Sequence, residues 1–371
     1  MASLASCTSD EPEPVPVEAG RTVLVYMAAD NNLGSTGFDR ADIAEMREAA
    51  DNGRLGNGRL LVYHSPYSKA PVLMEIRRGG IDTLVRYERG VTASSRERMT
   101  EVIGQTRRLA PAESYGLVLW GHGTGWIEDG IADTRSGASY SYGPERGKAM
   151  NITTLADILE QQRIFDYVYF DCCYMASVET VYQLRNATDY VVGSATELLT
   201  TGMPYQLNVP LLVRGDESAL VEAARNTFEL YDGYSGVNRT CTMSVIRTAG
   251  LDRLAEASRA LFDTTGGRLP EGYEPQRFMD TTVARCYYFD FLDYATALAG
   301  AVPEAEAQAD RLREAFGETV IYAAATPRLW NVVELDRHNG LSTFIARDAS
   351  DFQTGGYIRL DWYGDVAKSL F

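Results

Sequence analysis

The sequence is poor in histidine and cysteine, with three of the first and five of the second in 371 residues. No Cys-x-x-Cys and no His-Glu-x-x-His pattern occurs, so no zinc site of either common kind is expected. Five cysteines (Cys7, Cys172, Cys173, Cys241 and Cys286) do not make a disulfide framework in a chain this long. No loop has calcium-ligand spacing, and no cofactor is expected; calcium stays the one metal left open. Basic residues are also in deficit, 35 Lys and Arg against 51 Asp and Glu, for a net charge of −16. A nucleic-acid partner would need a basic stripe, so that class is set aside. No apolar run approaches the roughly eighteen residues of a membrane span, and no repeat of solenoid or propeller period appears. What is left is a chain long enough for a large core and more than one structural unit. Its acidic balance suits an extracytoplasmic protein and cationic substrates.

Residues 1–20, MASLASCTSDEPEPVPVEAG, hold little to bury and read as a disordered tether. Leu4–Cys7 (LASC) resembles the bacterial lipobox, and a tether leading directly off Cys7 is what a lipid anchor needs. The expected location is therefore extracytoplasmic, as a lipoprotein of periplasm, outer membrane or cell surface, or as a secreted protein. Residues 21–215 form the expected core. Buried strands in RTVLVYMAADNNL, RLLVYHS, YGLVLWGHGTGW, DYVYFDCCY and DYVVGSATE alternate with amphipathic helices, which predicts an α/β fold with a parallel-rich sheet covered on both faces. Met74–Ile76 and Thr83–Tyr87 read as a shorter antiparallel pair. Residues 216–330 are mostly helical in pattern, a C-terminal subdomain. Residues 331–371 hold a return strand, NGLSTFIA, and the C-terminal segment.

In YVYFDCCYMASVETV, Cys172 and Cys173 sit where a buried strand hands over to a helical pattern. Parallel sheets place ligands there, and a thiol at a helix N-terminus has a depressed pKa. Both cysteines also fit as small buried hydrophobes. His122 stands at the end of another strand, between Gly121 and Gly123, so sheet topology brings it to the same rim as the cysteine pair. Imidazole beside thiol can take its proton and later protonate a leaving amine. His64 and His338 have no comparable chemical setting.

Four stretches, VLVYMAADNNL, LVLWGHGTGW, FDCCYMASVETVYQL and GLSTFIA, resemble the clostripain-type cysteine peptidases, in the wider group of caspases, legumains and gingipains. They span residues 23–346. The resemblance implies a caspase-like fold and a catalytic pair of His122 and Cys173, with Asp171 in the family's acidic position and Cys172 in place of its alanine. Clostripain-like sequences usually have Trp-Asp-His-Gly, where this chain has Gly121 before His122. The implied reaction is peptide hydrolysis through an acyl-enzyme, with the backbone N–H groups of Gly123 and Cys173 as oxyanion donors.

Asp171, two residues before the nucleophile, can face the pocket for the residue preceding the cut bond, and a carboxylate there selects Arg or Lys. The family resemblance implies the same preference. Helix capping is the competing role for Asp171, and Glu197 is a second carboxylate for the pocket. Relatives cut themselves between the histidine and cysteine strands. That interval holds Arg135, Arg146 and Lys148 in a stretch whose Gly137, Gly143, Pro144 and Gly147 mark a flexible exposed loop. Self-cleavage is expected between Lys148 and Ala149, with Arg146 as the fallback. The competing classes are a surface lipoprotein that binds peptide without cutting it and a redox protein using the vicinal cysteines.

Overall fold

Apolar runs of β-branched and aromatic residues become the inner strands of a nine-stranded sheet, and the amphipathic segments between them cover its two faces. The structure, a computed structural model, describes residues 19–128, 142–280 and 286–370. In chain order come β1 (Ala19–Ala29), β2 (Arg59–Pro66), β3 (Val72–Arg77), β4 (Gly80–Arg86) and β5 (Ala112–Trp120). The hairpin of β6 (Tyr142–Glu145) and β7 (Lys148–Met150) stands apart from the sheet. It is followed by β8 (Phe165–Asp171), β9 (Tyr190–Gly193) and β10 (Thr242–Arg247). The short strand β11 (Phe289–Asp290) precedes the last sheet strand, β12 (Val320–Ala325). The sheet order is β12-β10-β9-β8-β5-β1-β2-β3-β4. From β9 to β2 neighbouring strands are parallel, and each edge carries an antiparallel pair.

Alternate residues of the inner strands serve two cores. Leu24, Tyr26, Leu117, Leu119, Val168 and Phe170 face α3 (Arg96–Leu109), α4 (Ile152–Gln162), α5 (Val178–Gln183) and the later α8 (Leu251–Thr265), α9 (Phe291–Ala301) and α10 (Glu306–Thr319). Val23, Val25, Val118, Trp120, Tyr167 and Tyr169 face α2 (Phe38–Asp51), α6 (Tyr205–Arg214) and α7 (Glu217–Asp232). This period-two division explains why the strands read as continuous apolar runs. Residues 216–330 carry four of these helices and also give β10 and β12 to the central sheet.

The strand order reverses direction between β1 and β5: the chain grows to β2 on one side, then returns to add β5, β8 and β9 on the other. Parallel sheets open their ligand crevice at such a switch point, outside the C-terminal strand ends. The ends are level there, Met27 pairing with Trp120 and Trp120 with Asp171.

NGLSTFIA does return to the body, as the two-residue β15 (Ser342–Thr343) paired with β11 rather than with the main sheet. Ser342 donates its N–H to Ala176 O at 2.9 Å. The carboxylate of fully buried Glu179 on α5 accepts from Thr343 Oγ1 at 2.9 Å and Phe344 N at 2.8 Å. The C-terminal segment is thereby fastened to the helix that follows the cysteines.

The flexible loop expected around Gly143–Lys148 is a correction. Residues 142–150 form the β6–β7 hairpin, with Arg146 (φ 50°) and Gly147 (φ 76°) at its tip. Local Gly and Pro mark turns, but the order comes from distant anchors. Buried Tyr142 donates its hydroxyl to Tyr26 O at 2.9 Å, and buried Glu145 accepts from Asp30 N at 3.1 Å and Ala93 N at 2.7 Å. Cys7 and Arg135 lie outside the described residues.

Candidate active site

Beyond β5 the chain turns through Gly121, whose φ of 150° suits glycine. His122 comes next. Its Nε2 lies 2.8 Å from Asn32 Oδ1, so that nitrogen carries the hydrogen and Nδ1 keeps the lone pair. Asn32 opens α1 (Asn32–Thr36), just past the end of β1, where the Asn31 side chain caps the turn by accepting from Leu33 N at 2.9 Å. The pair therefore bridges the switch point. His122 O accepts from Gly143 N at 2.9 Å, which ties the histidine loop to the β6–β7 hairpin. Burial holds the imidazole below its ordinary pKa.

After Asp171 the chain does not enter a helix at once. Residues 172–177 form a connection whose Tyr174 adopts φ 60°, held by Tyr174 N to Thr196 O at 3.0 Å and Ala176 N to Ser194 O at 2.9 Å. The Tyr174 ring stacks on Tyr288 with centroids 4.3 Å apart. α5 begins only at Val178, capped by Ser177 Oγ. Two expectations are corrected here: Cys173 is not at a helix N-terminus, and Asp171 does not cap α5. Cys172 is buried and donates its thiol to Leu119 O at 3.1 Å. Cys173 is half-buried, and its sulfur accepts from Leu198 N at 3.4 Å. Burial first, then the charges of Glu197 and Asp171, push its thiol up to about 12. Burial thus works against the charged form of both groups.

Glycine after His122 is dictated by a close approach. A Cβ on Gly123 would stand 2.8 Å from Cys173 O and 2.9 Å from Met175 Sδ. The histidine loop therefore lies directly on the cysteine connection.

The cleft so formed has a volume of about 260 Å³, and His122, Cys173, Asp171 and Glu197 all line it. Asp171 follows Trp120 and Tyr169 onto the α2/α6 face of the sheet. Its Oδ2 accepts from Tyr205 OH at 3.0 Å and Met203 N at 3.3 Å. Behind it, Asp42 of α2 accepts from Trp120 Nε1 at 2.6 Å. Glu197 accepts from Trp330 Nε1 at 2.8 Å. Trp330 is in the turn between β13 (Arg328–Leu329) and β14 (Val333–Glu334).

Arg146, Lys148 and Ala149 lie on the hairpin and not in the cleft wall. His64 pairs with Asp39 at 2.7 Å, and His338 packs on Phe278. Among the described residues no cluster of His, Cys, Asp and Glu fit to hold a metal is found, and no helix is long and apolar enough to cross a membrane. Sequence reading assigned no role to Asn32, Asp42, Tyr205 or Trp330. The polar turn in AADNNL marks Asn32's position after β1; nothing local marks the other three.

A histidine and a cysteine on the ends of adjacent parallel strands, sharing a cleft with a buried carboxylate, define a cysteine peptidase of caspase-like architecture. The sequence profile of the clostripain family, peptidase family C11, matches residues 25–294, and the chain belongs to that family. An inactive zymogen C11 protease from Parabacteroides distasonis is 30% identical, with 95% of this chain and 99% of that chain covered and a TM-score of 0.80. A secreted C11 cysteine protease from Bacteroides thetaiotaomicron, solved in complex with an irreversible peptide inhibitor, is 29% identical, with coverages of 94% and 98% and a TM-score of 0.77. No curated protein matches the sequence.

Proposed function

We infer that this cysteine peptidase is an endopeptidase cutting after Arg or Lys. The observation that carries the reading is one cleft lined by His122, Cys173 and the carboxylate of Asp171. Cys173 sulfur attacks the substrate carbonyl as its proton passes to His122, whose free Nδ1 lone pair suits it to that transfer. The developing oxyanion is met by the N–H groups of Gly123 and Cys173. His122 then protonates the departing amine, and water activated by the same imidazole releases the acyl group. Asn32 holds the ring in orientation. Asp171, with Glu197 on the neighbouring wall, supplies the charge that a basic side chain meets.

The enzyme is made as a single chain and cuts itself after Lys148, with Arg146 as the fallback. Exposure of Arg146 and Lys148 at the hairpin tip supports this, as does the zymogen state of the Parabacteroides relative. A peptidase needs an extended, unpaired segment, so β7 must first leave β6, where Lys148 pairs with Glu145. The protein works outside the cytoplasm, in line with the secreted Bacteroides relative, and Cys7 carries a lipid. Labelling with an arginyl chloromethylketone tests the reading: Cys173 should be modified stoichiometrically with loss of activity. A well-folded, processed protein that resists the reagent and leaves arginyl peptides uncut would refute it.

A further inference from the structure

Burying one carboxylate under a cleft is enough to select a cation, yet this cleft has two. Asp42 is 3% exposed and Asp171 is 7% exposed. A Cβ placed on Gly202 would stand 2.8 Å from Asp171 Oδ2 and 3.4 Å from Asp42 Oδ2. The two oxygens are thus no more than about 6 Å apart, the range in which like charges resist joint ionisation.

The groups facing the pair, element by element, are few. α2 brings Asp39 and Glu45. Asp39 is engaged by His64 at 2.7 Å, with Arg40 at 3.8 Å, and Glu45 accepts from Tyr205 N at 2.9 Å. β5 brings the Trp120 N–H and, just beyond its end, His122, while α6 brings the Tyr205 hydroxyl and Glu197 shares the cleft wall. The thiols of Cys172 and Cys173 follow β8, and the hydroxyls of Tyr169 and Tyr231 lie farther out on the same face. Among the described residues no cation pairs with Asp42 or Asp171. Both carboxyls are pushed above the ordinary range, by burial first and, for Asp42, by the charge of Asp171 next.

We propose that Asp42 and Asp171 hold one proton between them in the empty pocket, and that the guanidinium or ammonium of a basic substrate side chain expels it. Asp171 touches the cation, and Asp42, behind Trp120, is a positioning residue that acts through Asp171. On binding, the carboxyl O–H bond breaks, the proton leaves to water, and the pair goes from one negative charge to two. The incoming cation supplies the counter-charge that the fold omits. Basic ligands therefore bind more tightly as pH rises, whereas a neutral isostere of the same shape shows no such gain. This rests on the pocket reading given under Proposed function.

The test measures competitive inhibition constants of n-butylguanidine and n-butylurea against peptide hydrolysis by the processed enzyme, from pH 6.5 to 8.5. One proton released per cation bound predicts guanidine affinity rising by about tenfold per pH unit, with butylurea flat. In Asp42→Asn, which keeps an acceptor for Trp120, the guanidine slope should flatten. Equal slopes in wild type and Asp42→Asn, or a flat guanidine profile in wild type, overturn the shared proton while leaving a basic pocket intact. Should Asp42→Asn fail to fold, the wild-type contrast of guanidine and urea decides alone. Guanidine binding no better than urea at every pH would instead remove the basic pocket itself.

Discussion

Asp171→Asn separates anchoring from folding. The asparagine Oδ1 keeps the hydrogen bonds from Tyr205 OH and Met203 N, so the local framework survives. It also removes one of two neighbouring buried carboxylates, so the thermal midpoint should hold or rise. Binding suffers. A basic side chain entering a partly desolvated pocket without its counter-charge forfeits about 3–5 kcal/mol. That corresponds to a loss of about 10²- to 5 × 10³-fold in kcat/KM for an arginyl amide. Ionisation of Asp42 places some charge behind the vacancy and draws the loss toward the lower figure. The assay compares arginyl and citrullinyl peptides on wild type and variant, with the thermal midpoint recorded for both. Citrulline, neutral and nearly isosteric, should be affected little. A folded Asp171→Asn enzyme with unchanged arginyl turnover would refute the argument and leave Asp171 a structural residue.

Cys173→Ala and His122→Ala should each abolish cleavage, while Cys172→Ala keeps most activity and forfeits about 1 kcal/mol of stability; activity in Cys173→Ala with none in Cys172→Ala would reverse the assignment. Asn32→Ala should lower kcat/KM by about five- to tenfold, the worth of one orienting hydrogen bond, and an unchanged rate would show that the imidazole needs no such support. Glu179, buried and raised to about 7, binds its proton more tightly folded than unfolded. Its stabilisation is present below pH 4.5 and is lost as pH rises through 7, in all about 3 kcal/mol. The midpoint of Glu179→Gln relative to wild type should therefore rise between pH 5 and 8, and a constant difference would contradict the assignment. Purified wild type should show a fragment beginning at Ala149, absent from Cys173→Ala. Ser94→Ala removes the hydroxyl that donates to Lys148 O at 2.9 Å and should speed that cut by about fivefold; an active wild type that stays whole would remove the step.

The fold was legible because its information is local and periodic. Val23–Met27, Leu117–Trp120 and Val168–Phe170 are apolar on both faces, and that pattern marks inner parallel strands wherever they pair. That His122 and Cys173 share a cleft was legible for the same reason: each follows the end of such a strand, and parallel topology brings strand ends together. Order in the β6–β7 hairpin was not legible, since it depends on Tyr142 reaching β1 and Glu145 reaching the Asp30 and Ala93 amides. Asp42 was hidden in the same way. On a helical wheel it is one more acidic residue of an amphipathic helix, and only the docking of α2 against Trp120 puts it under the cleft. Asn32 lies between these cases, its turn readable and its partner 90 residues away.

The thiol pKa is where local reasoning failed in sign, and the failure bears on mechanism. A strand running directly into a helix would set the helix dipole on Cys173 and lower its pKa. The chain instead spends residues 172–177 on a connection held to residues 194 and 196, and α5 starts too far along to act within its first turn. Burial then dominates, and the acidic residues proposed to meet a basic side chain work against the thiolate as well, since Asp171 and Glu197 both raise it. Burial, with the pocket charge added to it, disfavours a standing thiolate–imidazolium pair. With the thiol lifted and the imidazole lowered, the proposed mechanism moves the proton to His122 as the sulfur attacks.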